Sequence, residues 1–108
     1  MIQVIATPSS YTSSIYVIFN DNEYVEKYEL YRDGVKIAES VNEEGKSDFV
    51  RPTTFDHDHS TNLFRKETNH QFMYEDTKVN KFREYAYQVK YYHAETEYTS
   101  NVVYATLQ

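Results

Sequence analysis

The chain contains no cysteine, which excludes a disulfide framework and any metal site built on thiolates. Tryptophan is absent, and only 2 glycines and 2 prolines interrupt the 108 residues, so the chain is not of low complexity. Basic residues are also few, 11 against 17 acidic ones, and the net charge is −6. Because binding to nucleic acid depends on clustered Lys and Arg, we expect no nucleic-acid partner.

Long apolar runs are missing as well. No run approaches the ~20 residues that span a bilayer, so we expect no membrane insertion. The first ten residues, MIQVIATPSS, lack the basic and apolar regions of a signal peptide, which predicts either a cytosolic chain or a piece whose export signal lies elsewhere. The chain is instead rich in aromatic residues, with 12 Tyr and 6 Phe, unlike disordered chains. The length predicts one domain, residues 1–108.

Alternating apolar and polar residues predict a series of short strands. The clearest is SIYVIFN, residues 14–20, in which Ile15, Val17 and Phe19 fall on one face and Tyr16 and Ile18 on the other. Comparable runs occur at residues 2–6, 28–32, 35–38, 70–74, 84–92 and 101–107. Seven or so short strands joined by turn signals predict an all-β antiparallel sandwich.

The stretch YELYRDGVKIA, residues 28–38, predicts a β-hairpin. Its Asp33-Gly34 pair suits a two-residue type I′ turn, which needs positive φ at both central positions. The return strand is then Val35 to Ala38.

The interval from Val41 to Asn69 does not show this pattern. It predicts a long irregular connection, residues 41–69, with short extended pieces around Phe49-Val50 and Thr54-Phe55 and a helical turn across Ser60 to Glu67. Structureless loops of this length in compact domains are usually functional or mobile. We therefore expect this connection to serve as an arm or a docking loop.

Several segments resemble a fibronectin type III domain of the divergent bacterial kind. Asp76-Thr-Lys-Val79 followed by Tyr85-Ala-Tyr87-Gln-Val89 is similar to the family's segment in which an Asp-Thr ends a strand and a corner tyrosine lies nine residues after the Asp. YELYRDGVKIA is similar to the family's third-strand hairpin, and SNVVYAT, residues 100–106, to its last strand. The resemblance implies an immunoglobulin-like antiparallel β-sandwich of about seven strands, with a long insertion before the Phe72 strand.

The chain departs from the family pattern at two places. Phe19 stands where the family usually has a Trp, and Lys81-Phe82 replaces the common Pro-Gly before the corner tyrosine. The resemblance implies that Tyr85 hydrogen-bonds to nearby backbone. The residues expected to carry the structure are Phe19, Tyr28, Leu30, Gly34, Val79, Tyr85, Tyr87 and Val89.

The segment Asp56-His57-Asp58-His59 is the candidate metal site. Two imidazoles and two carboxylates suit a divalent metal such as Zn²⁺, and His57 and His59 share a face if the segment is extended. The other interpretation is a solvated loop. Structural zinc sites take four ligands, usually from separate elements, and no further His has a diagnostic spacing. We therefore expect no cofactor.

The tyrosines divide by predicted face. Those expected on inner faces, as core, are Tyr28, Tyr74, Tyr85, Tyr87 and Tyr91. Those expected on outer faces or turns, as candidate binding residues, are Tyr16, Tyr31, Tyr92, Tyr98 and Tyr104. A ring with a polar tip is typical of interfaces and of sugar-stacking platforms.

These patterns favour a non-catalytic module. The chain has no Gly-x-Ser-x-Gly elbow, phosphate-binding glycine loop or His-Glu-x-x-His, so we expect no enzyme. The leading hypothesis is a protein-interaction or structural module that docks a protein partner or self-associates, through sheet edges or a tyrosine-bearing face. The alternative is a carbohydrate-binding accessory module that stacks exposed tyrosines on a polysaccharide. The resemblance implies a bacterial or phage surface, filament or secreted protein, with an extracellular, cell-surface or virion-associated location.

Overall fold

A computed structural model describes residues 2–41, 45–51, 53–57, 63–67 and 70–108, and gives the backbone alone for 53–57 and 63–67. This part of the chain is all-β and contains no helix, so it holds none that could cross a membrane. Its eleven strands are β1 (Val4–Ser9), β2 (Ser14–Asn20), β3 (Lys27–Arg32), β4 (Val35–Val41), β5 (Lys46–Ser47), β6 (Thr53–His57), β7 (Leu63–Glu67), β8 (Gln71–Asp76), β9 (Glu84–His93), β10 (Thr96–Thr99) and β11 (Val103–Thr106).

Two antiparallel sheets pack face to face as a sandwich. The small sheet has the order β1-β2-β8. The large sheet has the order β10-β9-β3-β4-β5, and β11 also pairs with β9. The long strand β9 pairs with β10 along its residues 90–93 and with β11 along its residues 84–87. The strands β6 and β7 form a separate two-stranded sheet.

The predicted hairpin is present. Arg32 pairs with Val35, and the two residues between them, Asp33 and Gly34, have φ values of 51° and 81°, as a type I′ turn requires. The Asp33 side chain also fixes this turn to β9, because its Oδ1 accepts a hydrogen bond from Ala86 N at 2.9 Å. A β-bulge between Leu30 and Tyr31 shifts the register of the hairpin, and its return strand continues to Val41.

The core lies between the two sheets. At its centre Phe19 contacts Tyr28, Phe49 and Phe72, with ring centroids 5.6, 5.0 and 5.7 Å away. All but one of the residues expected to carry the structure lie here: Phe19, Tyr28, Leu30, Tyr85, Tyr87 and Val89 are buried, and Val79 packs against them. The remaining one, Gly34, lies in the hairpin turn. Of the tyrosines predicted on inner faces, Tyr74 and Tyr91 are half-buried and pack against the same core.

A buried carboxylate joins the sheets at one end of the core. Asp76, the last residue of β8, is 1% exposed. Its Oδ2 accepts a hydrogen bond from the Tyr87 hydroxyl at 2.7 Å, and both of its oxygens accept from Arg32 Nη1. Burial and the bond to this carboxylate raise the pKa of Tyr87 far above its ordinary value, so the phenol remains a donor.

Two further polar contacts close the sandwich. The Tyr85 hydroxyl accepts a hydrogen bond from Asn80 N at 2.7 Å, which is the bond to nearby backbone that the resemblance implies. The Asn101 side chain bridges to β1, since its Oδ1 accepts from Val4 N at 2.8 Å and its Nδ2 donates to Val4 O at 3.0 Å. These groups are 97 positions apart in the chain.

The structure corrects three predictions. Eleven strands are described rather than about seven, because β5, β6, β7 and β10 lie outside the seven predicted runs. The interval 41–69 contains β5, β6 and β7, so the extended piece at Thr54-Phe55 is confirmed and the helical turn expected across 60–67 is wrong where β7 is described. Residues 96–99, which lie between the predicted strands 84–92 and 101–107, form a further strand, β10.

Candidate functional site

An apolar row crosses the outer face of the small sheet. In the strand register Ile5 pairs with Ile18, Ile18 with Met73, and Met73 with Val50. Ile5 and Val50, at the two ends of this row, are both 55% exposed, and the two middle residues are half-buried. Single exposed apolar residues are normally scattered over a protein surface. Four adjacent ones on an outer sheet face are instead typical of a protein-interaction surface.

The local sequence explains why the row forms. In β2 the side chains of Ile15, Val17 and Phe19 enter the core, so the period of two places Tyr16 and Ile18 on the opposite face. In β8, Phe72 and Asp76 face inward, which places Met73 and Glu75 outside. The row therefore exists because each strand contributes an apolar residue at an outward position and the register aligns them.

This outer face carries little charge. Among the outward residues of β1, β2 and β8, Glu75 is the only one with a charged side chain at neutral pH. Its Oε2 accepts a hydrogen bond from Ser14 Oγ at 2.9 Å. Tyr16 lies beside the row and pairs with Glu75 across the strands, and within the described part of the chain its hydroxyl has no hydrogen-bond partner. The outward residues of the three strands are Ile5, Thr7, Ser9, Ser14, Tyr16, Ile18, Asn20, Gln71, Met73 and Glu75.

The outer face of the large sheet has a different character. Glu29, only 5% exposed, accepts hydrogen bonds at Oε1 from the hydroxyls of Tyr92 at 2.7 Å and Tyr31 at 3.1 Å. Its Oε2 lies 3.2 Å from Lys27 Nζ and 3.5 Å from Lys36 Nζ. Burial opposes ionisation of Glu29, but the bonds from Tyr92, Lys27 and Tyr31 outweigh it and lower the pKa of the carboxyl.

The same cluster includes a second carboxylate. The Tyr92 hydroxyl lies 2.8 Å from Glu97 Oε1 as well as 2.7 Å from Glu29 Oε1. These hydrogen bonds, together with burial, raise the pKa of Tyr92 well above that of a free phenol. Lys90 Nζ lies over the ring of Tyr31, 4.6 Å from its centroid. The charges of this face therefore largely satisfy one another.

The five candidate binding tyrosines do not meet at one site. Tyr31 and Tyr92 come together on Glu29, whereas Tyr16 lies on the small sheet. Tyr104 is exposed on β11, opposite Ala86. Tyr98 was expected on an outer face or a turn. It lies on β10 opposite Tyr91, with the rings stacked 5.5 Å apart, and therefore on the side of the sheet that Tyr91 turns toward the core.

The candidate metal segment lies outside the described side chains. Asp56 and His57 belong to β6, of which the structure gives the backbone, and Asp58 and His59 are not described. Among the side chains that are described, no group of three His, Asp or Glu residues is placed to hold a metal ion.

Sequence reasoning missed three features. The burial of Glu29 and of Asp76 was not predicted, although Arg32 on the apolar face of its strand signalled that an acidic partner must be near. The apolar row was missed because Val50 and Met73 meet only through the sheet register. Comparison with known proteins adds no identity: no family model, no curated protein and no solved structure matches the chain.

Proposed function

We propose that the chain is a non-catalytic protein-interaction and assembly module of the fibronectin type III-like kind, which docks a protein neighbour through the apolar row. The observation that carries the proposal is the row itself, in which Ile5 and Val50 are exposed on a nearly uncharged sheet face. Burial of such side chains contributes about 25 cal/mol per Å² of apolar surface removed from water.

The distribution of strands supports the finer fold assignment. In immunoglobulin-like sandwiches the first two strands share a sheet with strand E, while strands C, F and G form the other, and a tyrosine corner lies near the start of F. Here β1, β2 and β8 share the small sheet, and β3, β9 and the pair β10 and β11 share the large one. Tyr85, the second residue of β9, makes the corner contact with Asn80 N.

The small sheet is better suited to docking by its face than by its edges. At the β1 edge, Asn101 occupies both backbone groups of Val4, and Pro8 has no N–H to donate. At the β8 edge, Val50 exchanges both backbone hydrogen bonds with Met73, at 2.9 and 2.7 Å. A partner strand added at either edge would have to displace these groups. A partner that docks on the face carrying the apolar row would not have to displace any of them.

The proposal includes the setting that the resemblance implies: a bacterial or phage surface, filament or secreted protein. In such assemblies a small module acts by holding neighbours in register. A protein partner is favoured over a polysaccharide because the five candidate binding tyrosines are divided between two sheets, and the hydroxyls of Tyr31 and Tyr92 are already bonded to Glu29.

Site-specific cross-linking in the cell that makes the protein tests this function. A photo-reactive phenylalanine analogue replaces Val50 in one variant and Tyr11, which is 100% exposed, in the control. We expect protein adducts from position 50 and few from position 11, and loss of the adducts when Ile18→Lys is added. Adducts that form equally from both positions, or from neither, would contradict the proposal.

A further inference from the structure

We infer that the occupant of the apolar row is a second copy of this chain, docked face to face about a two-fold axis that runs parallel to the strands, between β2 and β8. The inference rests on the proposed function and names its partner. Three observations carry it: the order of side chains along the row, the residues on either side of it, and the charge of the face.

The row is self-complementary in this arrangement. The axis exchanges the two ends of the row and its two middle positions, so Ile5 of one copy lies over Val50 of the second copy, and Ile18 over Met73. The strand register sets the four residues side by side on neighbouring chain segments. The equal exposure of the two ends, 55% each, fits an interface in which they face one another. Every contact along the row is then apolar against apolar.

The flanking residues are complementary under the same axis. Tyr16 and Glu75 are partners in the register of β2 and β8, as are Asn20 and Gln71. The two-fold axis places Tyr16 over Glu75 of the second copy and Asn20 over its Gln71. The Tyr16 hydroxyl, which has no partner among the described residues, gains a carboxylate acceptor, because Glu75 uses Oε2 for Ser14. The two Glu75 carboxylates do not face each other.

Charge favours this face over the rest of the surface. Two copies of a chain with net charge −6 repel each other. The outward side of β1, β2 and β8 carries Glu75 as its single carboxylate and no Lys or Arg, so the copies can approach here with the least repulsion. The outer face of the large sheet carries charges of both signs that already bond one another, such as Glu29 with Lys27 and Lys36, so docking there would have to remove them from water.

The size of the face sets the strength of the contact. The face is four chain segments wide, at about 4.8 Å per segment, and about five residues long, at about 3.4 Å per residue. Its projected area is therefore roughly 300 Å². Two such faces remain below the 1,200 Å² or more that stable interfaces bury, as expected for a weak, reversible dimer. In an assembly that holds copies close together, an effective concentration in the millimolar range would populate it.

Sedimentation equilibrium over a concentration series up to about 1 mM tests the inference. We expect the wild-type chain to dimerise, and Ile18→Lys and Met73→Glu each to weaken the dimer at least ten-fold by setting a charge against an apolar residue. Tyr104→Lys, an exposed position on the large sheet, is the matched control and should dimerise like the wild type. Tyr16→Phe should weaken the dimer several-fold through loss of two symmetry-related hydrogen bonds, with little risk to the fold.

Mixing the two charged variants tests the facing register. In a heterodimer of Ile18→Lys with Met73→Glu, the new lysine faces the new glutamate at one contact, and Ile18 faces Met73 at the other. We therefore expect the mixture to dimerise where each variant alone does not. A mixture that stays monomeric, or a wild-type dimer indifferent to Ile18→Lys, would overturn the arrangement. A wild-type monomer at every concentration would overturn self-docking, and adducts from position 50 with a different protein would then leave the proposed function standing.

Discussion

Arg32 and Asp76 connect the two sheets through an ion pair between a half-buried guanidinium and a buried carboxylate, in which a single nitrogen, Arg32 Nη1, lies 2.8 Å from Oδ1 and 2.9 Å from Oδ2. Arg32 ends β3 in the large sheet and Asp76 ends β8 in the small one. The contact therefore fixes how the sheets lie on one another, and it fixes the position of the β8 residues that present the apolar row.

Breaking this pair should be costly. Arg32→Met leaves the Asp76 carboxylate buried with the Tyr87 hydroxyl and Lys78 N as donors. Removing one partner of a buried pair typically lowers the free energy of unfolding by about 3–5 kcal/mol. Urea denaturation measures the loss. Arg83→Met, which breaks the exposed pair with Asp33, is the control and should cost under about 1 kcal/mol. Equal losses for both variants would contradict the stabilising role of the Arg32–Asp76 pair.

The turn between β9 and β10 is a site for stabilisation. Its central residues Ala94 and Glu95 have φ values of 49° and 66°, a region that costs non-glycine residues about 1–2 kcal/mol each. Replacing them with Asn and Gly, the preferred pair of a type I′ turn, should raise the free energy of unfolding by about 1 kcal/mol. Thermal unfolding measures the gain.

Gly34 provides the control for that turn. Its φ is 81°, and a Cβ added there would meet nothing within 4 Å, so Gly34→Ala tests backbone strain alone. We expect Gly34→Ala to lower stability by about 1 kcal/mol. A stabilised Gly34→Ala variant, or a destabilised Asn-Gly variant, would show that strain does not govern these turns.

The register of β3 can be tested at Leu30, which has no exposed surface. Leu30→Ala should lower the free energy of unfolding by about 2–5 kcal/mol, since it removes buried methyl groups and leaves a cavity. Val35→Ala, at a position that is 64% exposed, should change stability by less than about 0.5 kcal/mol. A Leu30→Ala loss below about 1 kcal/mol would mean that strand β3 is shifted by one residue.

Acid should reveal the role of Glu29. Its folded-state pKa is below the ordinary value of 4.5, because the hydrogen bonds from Tyr92, Lys27 and Tyr31 outweigh burial. A carboxyl whose pKa is lowered on folding stabilises the protein above its unfolded pKa, and this contribution is lost as the pH falls through the folded one. Glu29→Gln should therefore be less stable than the wild type near neutral pH, and the difference should shrink below about pH 4.5. Urea midpoints over a pH series measure this difference. A difference that does not change with pH would contradict a lowered pKa for Glu29.

Local sequence was sufficient for features that depend on neighbouring residues. The alternation in β2 predicted which of its residues enter the core, and Asp33-Gly34 predicted the turn, because both depend on the period of a strand or on positive φ. Features set by pairing between distant strands were not predictable in this way. Nothing local to Val50 places it beside Met73, and nothing local to Glu29 brings Tyr92 to it, since the two are 63 positions apart.

The contact between Asn101 and Val4 has a consequence for the order of events during synthesis. The side chain that completes β1 is encoded 97 positions after it, so β1 leaves the ribosome long before the residue that fixes its backbone exists. Pairing of β1 with β2 can begin early, but the sandwich cannot close until Asn101 has been synthesised and has left the ribosome. The nascent domain therefore remains an open half-structure until the segment that carries Asn101 has emerged.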